Sequence, residues 1–342
     1  MKAARLHRIG AEFSLDRIRV PAISARDVLV QVRAAGICHS DLNYRNGVAP
    51  VAKLPITLGH EIAGTVAETG RSVKGISHGE RVLVHYVVSC GKCVFCRANQ
   101  ENYCLSYQMV GKDIDGGFAE YVRVPARSIV ELPKSIPFEQ AAILGCAVPT
   151  AFHALRRART KPGDNVVIFG VGGLGIHAVQ LAARIFKAKT VIAADLIDHK
   201  LREAKRVGAE ETVNASAQNV PKAVHRITDG KLADVVLDFV GSSQTIALAV
   251  GCVGKGGRLA IVGIGAESMQ ISPYKTIIGK EMEIIGVNDH LKTELIELVD
   301  LVRAGKLDVS RSVTHKVSLD DINMGFRILE NAEDVLRVIA TT

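Results

Sequence analysis

Aromatic residues make up only 4% of the 342-residue chain, and basic side chains outnumber acidic ones by 43 to 35 without forming a cluster. We find no basic stripe with interleaved aromatics and no nucleic-acid-binding motif. No apolar run approaches the roughly 20 residues that a membrane-spanning helix requires. With 48% hydrophobic and 23% charged residues, the composition predicts a globular protein that neither binds nucleic acid nor spans a membrane.

The beginning of the chain also lacks the apolar core of a signal peptide, because Met1 to Gly10 enters a strand-like segment directly. We therefore expect a cytoplasmic protein, whose thiols remain reduced. The chain has seven cysteines. In a reducing compartment, closely spaced cysteines indicate metal binding rather than a disulfide framework.

A glycine-rich turn follows the most apolar segment of the chain. Val166–Phe169 is typical of a strand buried on both faces, and Ile176–Phe186 is a predicted helix. Between them, Gly170, Gly172 and Gly175 form the pattern G-x-G-x-x-G. The first glycine permits a tight turn, the second lets the backbone approach a pyrophosphate, and the third lets the helix pack on the strand. The free N–H groups at the helix start favour the same anion.

A second apolar segment, Thr190–Ala194, ends in Asp195, about 20 residues after the last glycine. A carboxylate at this position accepts hydrogen bonds from both hydroxyls of the adenosine ribose and repels a 2′-phosphate. The sequence therefore predicts a site that prefers NAD over NADP. His199, Lys200 and Arg202 lie nearby and oppose that preference.

The two parts of the chain differ in their predicted secondary structure. Residues up to 147 indicate short strands separated by glycine and proline turns, whereas strands alternate with helices from Val148 onward. Alternation of this kind is typical of an α/β fold with a doubly wound parallel sheet. The predicted strands of this part are Val166–Phe169, Thr190–Ala194, Asp234–Phe239, Arg258–Gly263 and Glu283–Val287.

Four cysteines lie close together in the β-rich part: Cys90, Cys93, Cys96 and Cys104. Four thiolates at this spacing can surround one zinc ion tetrahedrally, which leaves no position for a substrate. The sequence thus predicts a structural zinc. Two alternatives remain open, an iron–sulfur cluster, which thiolates also hold, and four unrelated reduced thiols.

A second set of ligands is divided between two short segments, residues 36–41 and 59–64. Cys38 and His60, with a third donor, would leave one tetrahedral position for water or substrate, which is the pattern of a catalytic zinc. Asp41 and Glu61 are carboxylates that can orient a ligating imidazole. A lone cysteine is more often a small buried hydrophobe, so the prediction depends on the combination.

The segment from Gly59 to Val73 has the pattern G-H-E-x2-G-x5-G-x2-V and resembles the zinc signature of medium-chain zinc-containing alcohol dehydrogenases. The four-cysteine segment and the glycine pattern follow in that family's order, so the resemblance covers essentially the whole chain. It implies a discontinuous, β-rich GroES-like catalytic domain with a zinc lobe, residues 1–148 and 289–342. It also implies a Rossmann dinucleotide-binding domain, residues 149–288.

The resemblance also implies the ligands of the catalytic zinc: Cys38, His60 and Cys146, the last after a predicted helix over Glu139–Leu144. Glu61 corresponds to a glutamate behind the metal that can ligate transiently. Related sugar-alcohol dehydrogenases usually carry glutamate in place of Cys146, and threonine dehydrogenases lack this cysteine. The ligand set therefore favours simple alcohols and aldehydes.

Further roles follow from the same resemblance. Ser40 corresponds to the residue that hydrogen-bonds the reacting alcohol oxygen and passes its proton toward the cofactor ribose. Many members end this relay with a histidine at the position of Asn43, whose amide does not exchange a proton usefully near neutral pH. The proton must then leave through water or another group. Tyr86 resembles the aromatic wall of the substrate pocket, although a packed core tyrosine is an equally good interpretation.

The implied cofactor is NAD, with two zinc ions per chain, one catalytic and one structural. Lys200 matches a lysine that reaches the ribose, or else it is a charge on a helix face. The remaining cofactor contacts implied by the resemblance are His39, Thr150, Gly173, Leu174 and Arg337.

The predicted reaction is hydride transfer between NAD(H) and an alcohol/aldehyde or alcohol/ketone pair, with a small molecule as the substrate. One alternative is a related dehydrogenase that acts on a polyol, amino-alcohol or acyl-thioester; another is a non-catalytic member that binds NAD(P). The chain lacks the extra loop that follows the cysteine segment in dimeric animal enzymes. This favours a homotetramer over a dimer.

Overall fold

The computed structural model describes residues 1–342, which form two compact units. The first unit consists of Met1–Pro149 and Asp289–Thr342, and the second of Thr150–Asn288. None of the helices combines the length and the apolar character that crossing a membrane would require.

Eighteen strands are present. In chain order they are β1 Lys2–Leu6, β2 Ser14–Arg17, β3 Asp27–Ile37, β4 Ile56–Thr57, β5 Glu61–Thr69, β6 Arg81–Val84, β7 Val87–Val88, β8 Gln108–Met109, β9 Tyr121–Pro125, β10 Ile129–Glu131, β11 Asn165–Phe169, β12 Thr190–Asp195, β13 Glu211–Asn214, β14 Ala233–Asp238, β15 Val253–Ile261, β16 Glu283–Gly286, β17 Val313–Ser318 and β18 Arg337–Thr341.

Ten α-helices accompany the strands. They are α1 His39–Arg45, α2 Val94–Arg97, α3 Phe138–Ile143, α4 Ala147–Arg157, α5 Gly175–Arg184, α6 Asp198–Val207, α7 Val220–Ile227, α8 Ser243–Cys252, α9 Lys292–Arg303 and α10 Ile322–Asn331. Short 3₁₀ turns span Glu101–Tyr103, Ala126–Ser128, Ser310–Ser312 and Leu319–Asp321, and a π-turn spans Pro273–Ile278.

The second unit contains a six-stranded parallel sheet in the order β13-β12-β11-β14-β15-β16. The order reverses at β11, which lies between β12 and β14, so this is a doubly wound sheet with its ligand-binding edge at the carboxyl ends of the strands. Every residue of β11 is buried, as expected from its apolar sequence. The predicted parallel sheet is confirmed.

Strand β13 and helix α7 are among the elements of this unit that were not predicted from the sequence. Strand β13 lies at the edge of the sheet and has only one buried residue, Val213, so it carries no apolar run. Helix α7 is eight residues long with Pro221 in its first turn, and Asn219 caps it by accepting a hydrogen bond from the N–H of Lys222. Strand β13 leaves too weak a pattern to be identified from sequence, whereas the cap and the proline of α7 are a helix-start signal that the sequence reasoning missed.

The first unit is built on a seven-stranded sheet in which β10-β6-β5-β3-β18-β17 are consecutive neighbours and β9 also pairs with β3. Gly36, near the end of β3, pairs with Glu61 at the start of the antiparallel β5. Ile37 pairs with Val338 near the start of the antiparallel β18. The end of β3 therefore lies beside the beginnings of β5 and β18, and Cys38 follows directly after it.

Candidate active site and metal centres

The converging strand ends bring four potential metal ligands together. The ligand atoms of Cys38, His60, Glu61 and Cys146 all lie within 4.8 Å of one another, and all four residues are buried. Cys38 follows β3, His60 immediately precedes β5, and Cys146 lies in the short connection between α3 and α4. Residues far apart in the sequence thus meet in one pocket of the first unit.

Asp41 connects the segment that carries Cys38 with the segment that carries His60. Its Oδ2 accepts a hydrogen bond from the N–H of Cys38 at 2.9 Å, and its Oδ1 accepts one from the N–H of Gly59 at 3.2 Å. Oδ1 also lies 3.2 Å from Nδ1 of His60. Burial lowers the pKa of His60, but Asp41 and Cys38 together outweigh it and the pKa rises well above its usual value. A carboxylate that orients a histidine in this way makes it a better metal ligand.

The opposite nitrogen of His60, Nε2, is buried and has no hydrogen-bond partner. An unsatisfied buried polar atom costs about 1–3 kcal/mol. A metal ion beside the thiols of Cys38 and Cys146 would satisfy it. Two sulfur ligands and one nitrogen ligand, with a fourth position open, are the donor set of a catalytic zinc, so the residues present fit that ion.

The two thiols of this cluster interact directly. A hydrogen bond from Cys146 lowers the pKa of Cys38 well below its usual value, against the effect of burial, and the charges of Arg337 and His60 add to the lowering. The thiolate form that a metal requires is thereby favoured at Cys38, whereas the same hydrogen bond and burial raise the pKa of Cys146 well above its usual value. Ser40 Oγ lies 3.7 Å from the sulfur of Cys38, on the first turn of α1.

Glu61 and Arg337 form a buried ion pair behind the thiols, with Arg337 Nη2 3.4 Å from Glu61 Oε1. A Cβ atom at Gly36 would lie 1.9 Å from Glu61 Oε2, so only glycine leaves room for this carboxylate. Burial raises the pKa of Glu61 to about 8, although the positive charge of Arg337 opposes the rise. Nη1 of Arg337 also donates to the carbonyl of Ile37 at 3.3 Å. The cofactor contact expected of Arg337 stays a prediction.

Tyr86 is placed at the wall of this cluster. Its ring packs edge-on against the ring of His60, with 5.2 Å between centroids. Its hydroxyl donates a hydrogen bond to Asp289 Oδ1 at 3.1 Å, and Tyr107 also hydrogen-bonds Asp289. No sequence signal identified Asp289 or Tyr107, because Tyr86 and Asp289 are separated by 203 residues and share no motif.

The second set of ligands lies in the lobe formed by residues 90–104. The sulfur of Cys96 is 3.5 Å from that of Cys93 and 3.9 Å from that of Cys90. Tetrahedral zinc with Zn–S bonds of about 2.3 Å requires sulfur–sulfur distances of about 3.8 Å. All four sulfurs lie within 4.8 Å of one another, which suits one ion, whereas an iron–sulfur cluster divides its four cysteines between two or more irons and spreads them more widely. Backbone N–H groups of Cys96 and Leu105 lower the pKa of Cys93 to about 6.

The glycine turn of the second unit has the geometry expected of a nucleotide site. Gly170 has a φ of +78°, and a Cβ atom at Gly175 would lie 1.9 Å from the carbonyl oxygen of Gly170. At Gly172 the nearest neighbour of such an atom would be Lys200 Nζ, 4.0 Å away. The turn thus needs its third glycine for packing and leaves open space at its second, where a pyrophosphate would approach. Gly173 and Leu174 complete the turn, and α5 begins at Gly175.

Asp195 ends strand β12 beside this turn. Its Oδ2 accepts a hydrogen bond from the N–H of Val171 at 2.8 Å, and its Oδ1 accepts one from the N–H of Ile197 at 3.1 Å. The carboxylate is therefore fixed next to the glycines. His39 is exposed at the start of α1, and Thr150 is buried within α4. Their cofactor contacts stay predictions.

Substitution of Asp195 by asparagine is expected to lower kcat/KM for NAD about 10- to 100-fold and to raise the NADP/NAD ratio about tenfold. Asparagine keeps an acceptor oxygen for Val171 but loses the charge that binds the ribose and repels a 2′-phosphate; a hydrogen bond to a charged group contributes about 1.5–3 kcal/mol. Asp198→Asn, at an exposed residue that accepts from Asn214 Nδ2, is the control. Equal losses with both cofactors would contradict the role of Asp195.

Two family models match the chain. Residues 24–134 match the alcohol dehydrogenase GroES-like domain, and residues 173–304 match the zinc-binding dehydrogenase domain. The two matches together span more than half of the chain.

The full-length relatives of the chain are named as dehydrogenases. The chain is 36% identical to an NAD-dependent alcohol dehydrogenase of Sulfurisphaera tokodaii, over 99% of both chains. It is 35% identical to an L-threonine 3-dehydrogenase of Pyrococcus horikoshii, over 96% of this chain and 92% of the relative. Among solved structures, the alcohol dehydrogenase of Aeropyrum pernix is 38% identical over the whole of both chains, with a TM-score of 0.92.

Proposed function

The chain belongs to the family of zinc-containing alcohol dehydrogenases, and we propose that residues 1–148 and 289–342 form its catalytic domain and residues 149–288 its dinucleotide-binding domain. The two compact units, which divide after Pro149 and after Asn288, support this division. The reaction class, NAD-linked interconversion of alcohols with aldehydes or ketones, follows from the family. The predicted family and reaction class are confirmed.

The proposed ligands of the catalytic zinc are Cys38, His60 and Cys146, with Glu61 as a transient fourth. The observation that supports this set is the buried, unpartnered Nε2 of His60 beside two thiols. When bound, zinc supplies Lewis-acid chemistry, which lowers the pKa of an alcohol and polarises a carbonyl in the reverse reaction.

The surrounding side chains have distinct tasks in this proposal. Asp41 orients His60 by its hydrogen-bond network, and Arg337 supplies a buried positive charge that lowers the pKa of Glu61 and of the Cys38 thiol. Ser40, close to the sulfur of Cys38, accepts the proton of the alcohol. Asn43 cannot carry that proton further, so water or another group completes the route. NAD, when bound beside Gly170–Gly175 and Asp195, supplies the hydride acceptor.

The proposed structural zinc is held by Cys90, Cys93, Cys96 and Cys104. Sulfur–sulfur distances of 3.5 and 3.9 Å support a single ion in this lobe. The proposal therefore assigns about two zinc ions to each chain, one with an open position and one closed.

A metal analysis combined with a substrate panel tests the proposed function. We expect about two zinc ions per chain, no iron, and oxidation of simple primary or secondary alcohols with NAD preferred over NADP. The panel should also include polyols, amino-alcohols and acyl-thioesters, because turnover of one of these without oxidation of isopropanol or another simple alcohol would favour the alternative dehydrogenase. A zinc-loaded protein that oxidises no alcohol would contradict the proposal.

We also propose a cytoplasmic homotetramer. None of the seven cysteines forms a disulfide, which supports a reducing compartment. The tetramer depends on the resemblance to family members that lack the loop after the cysteine lobe, a fold-level analogy. Light scattering of the purified protein distinguishes a tetramer from a dimer, and a dimer would contradict this part of the proposal.

A further inference from the structure

Asp289 is an acidic side chain close to the proposed catalytic metal that the mechanism above does not use. It is connected to the cluster by a short path: the ring of Tyr86 packs against His60, and the hydroxyl of Tyr86 donates to Asp289 Oδ1 at 3.1 Å. The carboxyl group therefore lies within the length of one tyrosine side chain of a metal ligand. Part of the surface of Asp289 remains accessible to solvent.

The charges of Asp289 and of the ligand cluster act on the same two tyrosines, Tyr86 and Tyr44. Burial raises the pKa of Tyr86, and the negative charges of Asp289 and Cys146 raise it further. Tyr44 is influenced in the same way, by burial and then by the charges of Asp41, Cys38, Cys146 and Asp289. Tyr86 therefore contacts both Asp289 and a proposed zinc ligand, His60, so the carboxyl group and the ligand cluster are neighbours within the first unit.

The position of the carboxyl group is well defined. Tyr86 and Tyr107 both hydrogen-bond it, so two hydroxyls from separate segments of the chain fix its orientation. An ionised carboxylate accepts hydrogen bonds but donates none. At this place it attracts hydroxyl and ammonium groups and repels a second carboxylate.

We propose that Asp289 determines substrate specificity by accepting a hydrogen bond from a second donor, a hydroxyl or an ammonium group, on an alcohol bound at the metal centre. The proposal rests on the proposed function of that centre. It refines the preference for simple alcohols that Cys146 implies, because the favoured substrate is small and carries a donor near the reacting carbon. Alcohols that carry a carboxylate near that carbon are disfavoured.

Four alcohols that share one reacting group test the proposal: isopropanol, propylene glycol, isopropanolamine and β-hydroxybutyrate. Each has a hydroxyl on a carbon that bears a methyl group, and they differ in having no second group, a hydroxyl, an ammonium or a carboxylate. The measured quantity is the ratio of kcat/KM for each polar alcohol to that for isopropanol.

In Asp289→Leu, the ratios for propylene glycol and isopropanolamine are expected to fall about 10- to 100-fold, as for the loss of a hydrogen bond to a charged group. The ratio for β-hydroxybutyrate should rise about tenfold by loss of charge repulsion.

Asp289→Asn keeps the shape and an acceptor oxygen but removes the charge. A large loss for isopropanolamine alone in this variant identifies the ammonium as the favoured donor, whereas retention of both ratios identifies the hydroxyl.

The control is Asp320→Asn, an exposed change of the same kind at a residue that pairs with Lys2, and it should leave all ratios unchanged. A urea unfolding curve for each variant reports on stability separately from turnover. Should Asp289→Leu not fold, Asp289→Asn decides the question through the ratios for isopropanolamine and β-hydroxybutyrate.

Two results would overturn the inference, and they are distinguishable. If the variants unfold more easily while every ratio stays within about twofold of the wild type, Asp289 is only a brace between Tyr86 and Tyr107. The proposed function then still stands. If the zinc-loaded wild type oxidises no alcohol at all, the proposed function fails and this inference fails with it.

Discussion

Cys146→Ala is expected to lower kcat/KM for alcohol oxidation about a thousandfold or more while leaving NADH binding nearly intact. The substitution removes one of three proposed ligands, and a site with two ligands does not retain zinc in the geometry that catalysis requires. Loss of the Lewis acid removes several kcal/mol of transition-state stabilisation, of which about 4 kcal/mol corresponds to a thousandfold. The glycine turn and Asp195 belong to the second unit and keep their own hydrogen bonds.

Three measurements together check this result: steady-state kinetics, zinc content and titration of NADH fluorescence. Zinc should fall from about two ions to about one per chain, because the four-cysteine lobe is unchanged. The matched control is Cys252→Ala, which removes another buried thiol in the core of the second unit and should preserve both zinc content and turnover. Normal activity in Cys146→Ala would exclude this cysteine as a catalytic ligand.

Removal of a ligand from the four-cysteine lobe is expected to affect stability rather than the reaction itself. Helix α2 of this lobe has no buried residue, and Val94 and Leu105 are 68% and 74% exposed. The lobe therefore has little apolar core, and a metal ion would supply most of its folding energy. Cys104→Ser should lower the free energy of unfolding by about 3 kcal/mol or more.

Hydrogen exchange and limited proteolysis locate this effect. Residues 90–106 should lose protection first, because local unfolding follows the region with the fewest stabilising contacts. Ser106→Ala is the control, since the hydrogen bond to the sulfur of Cys104 comes from the backbone of Ser106 and survives the substitution. A Cys104→Ser variant that retained two zinc ions and full protease resistance would contradict the structural role of this cysteine. Iron in the wild-type protein would favour an iron–sulfur cluster in the lobe.

Short patterns carried most of the sequence prediction. The glycine turn, the four cysteines and the segment around His60 are each determined within a few residues, because turn geometry and metal ligation restrict the allowed residue types locally. The parallel sheet was predictable for the same reason, since strands such as Val166–Phe169 are apolar throughout.

Features that depend on distant pairing could not be predicted in this way. The ion pair of Glu61 with Arg337 arises because β18 returns to lie beside β3, a pairing that leaves no mark on either local sequence. The bond between Tyr86 and Asp289 spans 203 residues. Strand β13 escaped prediction because its four residues, Glu-Thr-Val-Asn, include only one apolar side chain.

The return of β18 to β3 has a consequence for biosynthesis. Nη1 of Arg337 bonds the carbonyl of Ile37 across 300 residues of chain. At about 5–20 residues per second, the ribosome completes Ile37 about 15 to 60 s before it reaches Arg337. During that interval Cys38 and His60 lack the cation that compensates Glu61 and the neighbouring strand that closes the sheet. The surroundings of the metal centre are therefore incomplete until Arg337 has been synthesised, and a nascent chain stalled before β18 holds the three proposed ligands without the cation behind them.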